Sequence, residues 1–226
     1  MHKLDRSAVT PPACLSGHDH STQKWDDLDA ACKAAVRAAL TSMQGSPGTS
    51  TEAPSQATCA YCETAIWAGG HIEHFRRKNP KHFPELTFSW DNLFLSCDAR
   101  SHCGHYKDRK DAPAYNPDTL VKPDCEDPDA YFYFHSTGEL RIRSGLDQPN
   151  QHKASETIRV FGLNDRTLQA SRAKALKTYK EKILPDLQEI ESWPPADRKA
   201  YLADEIAATR WHPYATTIKH FLQQQP

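Results

Sequence analysis

The chain has 226 residues, of which 38% are hydrophobic and 25% are charged, and its formal net charge is −1. A chain of this length can bury a core of its own as one large or two small domains, while its near-neutral charge excludes a uniformly basic DNA-coating protein. No apolar run approaches the roughly 20 residues that a membrane span requires, so we predict no membrane association.

The chain begins with a proline-containing arm, MHKLDRSAVTPP, which lacks the apolar core of a secretory signal. We therefore expect a cytoplasmic protein, in which the seven cysteines are metal ligands or buried thiols rather than disulfides. A helix is predicted after Thr22, because apolar residues then recur at spacings of three and four. This stripe consists of Trp25, Leu28, Cys32, Val36, Leu40 and Met43. Cys32 is thus predicted to be a buried thiol, whereas Cys14 in the arm has no predicted partner.

Glycine, proline and small hydroxyl residues dominate positions 45–57, GSPGTSTEAPSQA, which are predicted to form a linker. Three segments follow from this division. Residues 1–50 form an N-terminal arm and helix, residues 51–115 form a core rich in cysteine and histidine, and residues 116–226 form a hairpin and a helical region.

A β-hairpin is predicted within residues 131–143, where an aromatic run and an alternating run flank a turn that contains glycine. The pattern becomes helical from Ser155 onward, and the first of these helices is predicted to end at Gly162. Either Asn164 or Asp165 can cap the longer helix that follows.

Pro185 is predicted to break or kink that longer helix, because proline lacks the amide proton and clashes with the preceding turn. Two further short helices are predicted around residues 201–206 and 218–222. The fold class is therefore α+β, with helical additions at both ends of a small central core and a hairpin after it.

Four cysteines in the central segment have the character of a zinc site. Cys59 and Cys62 have the Cys-x-x-Cys spacing that supplies two thiolates from one tight turn. Cys97 and Cys103 form a less regular second pair. We predict that these four cysteines bind a structural Zn²⁺ ion; the alternative is that Cys59 and Cys62 are buried free thiols.

Between the two pairs, the segment GHIEHF is predicted to be a short strand with His71 and Glu73 on one face and His74 on the other. Hydrolysis of a phosphodiester needs a base that activates water and a divalent cation that neutralises developing charge. A histidine beside a metal-binding carboxylate meets both needs. Asn92, in the segment WDNL, is predicted to hold the loop that carries this pair.

Basic residues flank these candidates, which favours a polyanionic substrate. The predicted substrate contacts are Arg76, Arg77, Lys78 and Lys107. Further cations in the same two clusters are Lys81, Arg100, Arg109 and Lys110. The alternative interpretation is that these clusters are solvated charged loops.

The motifs CAYCE, HIEHFRRK, FSWDNLFLSC and HCGHYKD resemble the zinc-containing branch of the HNH, or ββα-metal, endonucleases. More specifically they resemble the PtuB-like nuclease subunit of Septu anti-phage systems, which is also attached to some retrons. The resemblance implies that His74 is the general base, that Glu73 holds a catalytic Mg²⁺ or Mn²⁺, and that Asn92 orients the loop that carries His74.

The last metal ligand in this family commonly directly follows the final cysteine, but Gly104 stands there in this chain. His105 is therefore the first choice for that ligand, followed by His102 and Asp108. His71 is the second candidate ligand on the strand.

The resemblance also implies a PtuA-like ABC-type ATPase as partner, a DNA substrate, and in some systems a retron reverse transcriptase with its RNA and DNA. The helical additions, residues 1–50 and 165–226, are the expected contact with the ATPase. Two alternatives remain: the same nuclease acting on RNA such as tRNA, and a zinc-stabilised nucleic-acid-binding adaptor without catalysis.

Overall fold

A computed structural model describes residues 1–46, 56–66 and 69–225, and within these ranges the fold is α+β as predicted. The described helices are α1 (Ala30–Gln44), α2 (Cys103–Lys107), α3 (Gln148–Phe161), α4 (Arg166–Ile190), α5 (Pro195–Ala208) and α6 (Ala215–Leu222). The described strands are β1 (Gly45–Ser46), β2 (Gln56–Thr58), β3 (Ala65–Ile66), β4 (His71–His74), β5 (Leu93–Ser96), β6 (Phe132–Phe134) and β7 (Leu140–Ile142). No helix in the described part of the chain is both long and apolar enough to cross a membrane.

Helix α1 begins later than its apolar stripe indicates. The Asp29 carboxylate accepts the Cys32 N–H at 2.6 Å and so caps a helix that starts at Ala30. Trp25 lies in a separate 3₁₀ turn before it. The stripe is confirmed within α1 from Cys32 onward, and Leu28 is buried just before the helix. Leu40, for example, is fully buried, which contributes about 2 kcal/mol.

Cys14 and Cys32 form a disulfide, with their Cα atoms 5.9 Å apart. The prediction of a buried thiol at Cys32 is therefore wrong. The arm folds back in a 3₁₀ turn, Ala13–Gly17, which brings Cys14 next to α1. Sequence spacing could not show this approach, because the pairing depends on the path of an irregular arm.

The predicted linker, residues 45–57, is strand at both described ends, and its residues 47–55 lie outside the described residues. β1 pairs antiparallel with β2, with Gly45 opposite Ala57, and β2 also pairs with β3. The buried Gln44 side chain joins this sheet to β5, because its amide donates to Thr58 O and Leu95 O, each at 2.9 Å.

Strands β4 and β5 pair antiparallel, with His71 opposite Ser96 and His74 opposite Leu93, and α2 follows them in the chain. One hydrophobic cluster surrounds this unit and includes residues from all three predicted segments. Val36 of α1, Phe94 of β5 and Phe161 of α3 are all fully buried in it. The strand–strand–helix unit is therefore held from both ends of the chain.

The C-terminal half follows its predicted pattern with one exception. The hairpin is confirmed as β6 and β7, and Gly162 ends α3 in the left-handed region (φ 61°). The Asp165 side chain caps α4 by accepting the amides of Thr167 and Leu168. Of the two outcomes predicted at Pro185, a break is wrong, because α4 continues through it to Ile190, and a kink stays a prediction.

Helix α6 is attached to the hairpin by a buried histidine. The Phe134 N–H donates to His220 Nδ1 at 2.9 Å, so the ring proton sits on Nε2, which lies 3.1 Å from Asp129 Oδ1. Lys219 pairs with the same carboxylate. Partial burial raises the pKa of Asp129, but hydrogen bonds from His220 and Lys219 outweigh burial and lower it. These contacts hold the last helix against β6.

Candidate functional site

The four central cysteines converge into one buried cluster. Cys59 and Cys62 lie in the turn between β2 and β3, Cys97 follows β5, and Cys103 begins α2. Their Sγ atoms all lie within 4.8 Å of one another, and those of Cys62 and Cys97 are 3.8 Å apart. Sulfurs about 2.3 Å from a tetrahedral zinc would be about 3.8 Å apart, so the cluster fits a closed zinc site.

The thiols of this cluster differ in acidity. Burial raises the pKa of Cys59, but contacts with the Cys103 and Cys62 thiols outweigh burial and lower it. Contacts with the other thiols, that of Cys103 first, lower the pKa of Cys97. Burial instead raises the pKa of Cys62 and of Cys103. A divalent metal would replace the remaining thiol protons and compensate several thiolates at once.

Glu73 is buried on β4 and is already paired. Lys107 Nζ lies 2.8 Å from Glu73 Oε1, although no well-directed hydrogen bond reaches that oxygen, and His71 Nε2 lies 3.3 Å from Oε2. Burial raises the pKa of this carboxyl, but Lys107 and His71 outweigh burial and lower it to about 2. Lys107 is 1% exposed, so the prediction that it contacts substrate does not fit its position.

Gly104 lies directly against this carboxylate. A Cβ at position 104 would be 2.5 Å from Glu73 Oε2 and 2.9 Å from His71 Nε2. A side chain at position 104 would therefore clash with Glu73 and His71, and the backbone of α2 can approach them only because Gly104 has no Cβ. Glu73 Oε1 faces Lys107 and Oε2 faces His71, so each oxygen of this carboxylate already has a neighbour that balances its charge or can donate to it.

A second group of metal-type ligands forms where β4, the segment after β5 and α2 meet. Ligand atoms of His71, Asp98 and His105 lie within 4.8 Å of one another. Asp98 had no sequence signal, because only the pairing of β4 with β5 brings it beside His71. His102 and Asp108, the other two candidates, lie outside this group. His102 is buried at the start of α2, and Asp108 bonds to Lys107 and Arg77.

His74 lies on the opposite face of β4 and is 4% exposed. Its Nε2 lies 2.9 Å from Thr87 O, and because a carbonyl can only accept, Nε2 carries the proton and Nδ1 keeps a lone pair. The Trp25 ring packs edge-on against it, with centroids 4.7 Å apart. Burial, with a contribution from Lys78, lowers the pKa of His74 to about 4, so the ring is neutral at pH 7.

Asn92 fastens the turn that follows His74. Its Oδ1 accepts the Arg76 N–H at 2.7 Å, and its Nδ2 donates to Arg76 O at 2.9 Å and to Leu86 O at 3.2 Å. The side chain therefore fixes the backbone two residues beyond His74, where the sequence led us to expect it.

His74 lines a cavity of about 360 Å³ whose wall is rich in cations. The lining residues are His74, Arg77, Lys78, Asn79, His82, Asp108, Arg109 and Lys110. Of the four predicted substrate contacts, Arg77 and Lys78 line this cavity. Arg76 pairs with Asp118 and Lys107 is buried, so neither belongs to the lining. We call this cavity the cationic pocket.

A scan of protein-family models found no match to this chain, and a search of curated proteins found none either.

Proposed function

We propose that this chain is a metal-dependent HNH endonuclease that hydrolyses phosphodiester bonds of nucleic acids, with DNA as the expected substrate. The observation that carries the proposal is the position of His74, a neutral imidazole on the wall of the cationic pocket. A base beside bound phosphate is what phosphodiester hydrolysis requires.

The order of elements supports the same proposal. An antiparallel pair of strands, β4 and β5, is followed by helix α2, and the four-cysteine cluster lies at the junction of these elements. Zinc bound there would hold α2 against the strand pair. The candidate ligands and His74 then occupy opposite faces of one strand, in the arrangement expected of a ββα-metal core.

Each residue of the pocket has a role in the proposed reaction. His74 Nδ1, whose lone pair is free, accepts a proton from the attacking water. Arg77 and Lys78 bind the phosphate backbone, and Asn92 keeps the turn after His74 in place. A bound divalent cation, Mg²⁺ or Mn²⁺, would supply charge neutralisation at the phosphate.

One observation favours a second candidate function. Lys107 already neutralises Glu73, the carboxylate expected to bind the catalytic metal. A pure binding module would keep this ion pair as a structural contact and would use the cationic pocket only for affinity. The alternative is therefore a zinc-stabilised nucleic-acid-binding adaptor without catalysis. RNA such as tRNA is the alternative substrate, because attack of an activated water on the phosphate does not involve the sugar.

The test incubates supercoiled DNA and, separately, tRNA with the protein and Mn²⁺ or Mg²⁺. We compare the unmodified chain with His74→Ala and with His135→Ala, a matched histidine in the hairpin turn. Loss of a general base lowers the rate by roughly 10²- to 10⁴-fold.

We expect cleavage by the unmodified chain and by His135→Ala, and loss of cleavage in His74→Ala. Equal cleavage by His74→Ala would overturn the proposed role of His74. Binding of nucleic acid without cleavage, in the presence of the ATPase partner as well, would support the adaptor. The preference between DNA and tRNA identifies the substrate class.

The proposal extends to a cytoplasmic defence complex with an ABC-type, PtuA-like ATPase, and in some systems a retron reverse transcriptase. The Cys14–Cys32 disulfide is unusual for that compartment.

Deleting residues 1–50 would remove Val36 and Leu40 from the core, so this deletion cannot separate docking of the ATPase from folding of the chain. Leu184, on α4, is the exposed large hydrophobic residue of the described helices. Leu184→Asp should weaken co-purification with the ATPase if α4 forms the contact; unchanged assembly would contradict this.

A further inference from the structure

Three side chains from separate elements converge at one edge of the strand–strand–helix unit. His71 Nδ1 lies 3.4 Å from Asp98 Oδ1, and His105 Nε2 lies 3.8 Å from the same oxygen. The two imidazole rings stack with centroids 4.0 Å apart. Ligand atoms about 2.1 Å from one metal are roughly 3.0–3.4 Å apart at right or tetrahedral angles. Both distances to Asp98 Oδ1 are close to this spacing, and all three ligand atoms lie within 4.8 Å of one another.

The backbone holds Asp98 in this orientation. Gly70 N–H donates to Asp98 Oδ2 at 2.7 Å, which leaves Oδ1 facing the two histidines. Arg37 of α1 donates in turn to Gly70 O at 3.1 Å. Gly70 has φ 76°, and a Cβ there would be 2.7 Å from Ser96 O, so only glycine fits. The carboxylate is therefore positioned before any ligand arrives.

Glu73 controls the ring orientation of His71. A histidine that binds a metal usually donates its other N–H to a carboxylate, which fixes its tautomer. His71 Nε2 lies 3.3 Å from Glu73 Oε2 and Nδ1 lies 3.4 Å from Asp98 Oδ1, so both ring nitrogens face carboxylate oxygens. A metal that replaced the proton at Nδ1 would leave the Nε2–H to donate to Glu73. The ion pair between Glu73 and Lys107 keeps this carboxylate in its place and occupies its other oxygen.

We infer that His71 Nδ1, Asp98 Oδ1 and His105 Nε2 form a divalent metal site, in which Glu73 is a positioning residue and not a ligand. Two imidazole nitrogens with one carboxylate favour transition metals such as Mn²⁺, Co²⁺ or Zn²⁺ over Mg²⁺, which prefers oxygen ligands alone. The Asp98 and His105 side chains are 61% and 40% exposed, so the site is open to water and to phosphate oxygens. As the catalytic metal site this assignment rests on the proposed nuclease function, but metal binding itself does not.

The test uses the full-length chain with zinc supplied to the four cysteines and other metals removed by dialysis. Mn²⁺ is titrated in, and the free ion is counted from its electron paramagnetic resonance signal. We compare the unmodified chain with Asp98→Asn, His105→Ala and Glu73→Gln. The controls are Asp111→Asn and His135→Ala, which change the same residue types outside the group.

We expect one Mn²⁺ per chain, which excess Mg²⁺ does not displace. Asp98→Asn and His105→Ala should weaken binding at least about 10-fold, as should Glu73→Gln, since changes to such positioning residues typically cost 10- to 100-fold. Pulsed resonance should detect two coupled imidazole nitrogens in the unmodified chain and in Glu73→Gln, but one in His105→Ala. The controls should bind normally.

The inference is overturned if the unmodified chain binds no Mn²⁺, or if His105→Ala and Asp98→Asn bind it as tightly as the unmodified chain does. Binding that is abolished in Glu73→Gln but intact in Asp98→Asn would make Glu73 the carboxylate ligand instead. This experiment measures binding and not cleavage. If Mn²⁺ binds as expected but the chain cleaves no nucleic acid, the metal site is supported and the proposed nuclease function is contradicted.

Discussion

The two candidate metal groups share one short helix but differ in how they meet solvent. Cys103 and His105 both lie in α2. The four cysteines are buried and offer only sulfur, whereas His71, Asp98 and His105 are partly exposed and offer nitrogen and oxygen. A closed sulfur site stabilises a fold, and an open site with water-accessible positions supports chemistry. Changes in the first region should therefore affect stability, and changes in the second should affect function.

The largest expected effect comes from breaking the closed region. Cys103→Ser removes one sulfur from a fully buried cluster that joins α2 to β5. Because binding of structural zinc is coupled to folding, we expect a loss of several kcal/mol and loss of cooperative unfolding in urea. Cys125→Ser, at an exposed free cysteine, is the matched control and should unfold normally. Equal stability of the two variants would show that the cysteine cluster is not a metal site.

The next effect tests whether the buried Lys107 supports the fold. Lys107→Met leaves the Glu73 carboxylate buried without its cation, which should cost about 3–5 kcal/mol of unfolding free energy. Adding Glu73→Gln removes the unpaired charge and should restore part of that loss. If Lys107→Met changed nucleic-acid affinity without changing stability, the original prediction of a substrate contact would be right after all.

A smaller effect on stability is expected from a substitution outside both metal groups, which should change the free energy of unfolding without changing metal binding. Asp129→Asn removes the charge that pairs with Lys219 and His220, so we expect a loss of about 1–2 kcal/mol at pH 7 without loss of zinc. The pKa of Asp129 is lower in the folded chain than in the unfolded chain, where it is near 3.8. The ion pairs of Asp129 therefore stabilise the fold fully at pH values above 3.8, and this stabilisation disappears as the pH falls through the pKa of the folded state.

Unfolding by urea at pH 7 and at pH 3 checks this sign. The difference between the unmodified chain and Asp129→Asn should shrink at the lower pH. Asp111→Asn, whose side chain is 87% exposed, is the control. A difference that grew toward low pH would contradict the assigned ion pairs.

The smallest expected effect tests whether the cationic pocket binds nucleic acid. Lys78→Ala removes one cation from the cationic pocket, so we expect the nucleic-acid affinity to fall by roughly a few-fold. The slope of affinity against salt concentration should decrease by about one phosphate contact, and the free energy of unfolding should not change. Lys177→Ala, on an exposed position of α4, is the control. The measurement is the nucleic-acid affinity of each variant as a function of salt concentration. If Lys78→Ala and the unmodified chain have identical slopes, Lys78 does not contact the substrate.

The sequence predicted those parts of the site that lie close together along the chain. The cysteine spacing indicated the metal cluster, and the strand alternation indicated that Glu73 and His74 face opposite ways. Asn92 was expected to hold the loop, and its bonds to Arg76 do hold it. These inferences depend on local geometry, which spacing encodes directly.

The contacts that the sequence could not predict all join distant segments. Asp98 meets His71 only through the register of β4 with β5, and Trp25 reaches His74 only because the arm folds back. The burial of Lys107 was hidden for the same reason, since a cation in a basic run looks solvent-exposed until its carboxylate partner is placed. The Cys14–Cys32 disulfide also depends on the path of an irregular arm.

Metal counting by native mass spectrometry during chelator titration tests the central claim, that one chain has a closed structural site and an open exchangeable one. The chain is loaded with Zn²⁺ and Mn²⁺, and folding is followed by circular dichroism in parallel. We expect Mn²⁺ to leave first with the fold unchanged, and Zn²⁺ to leave later, together with loss of helical signal. Release of both metals in one step, or a chain that stays folded after losing zinc, would contradict the claim.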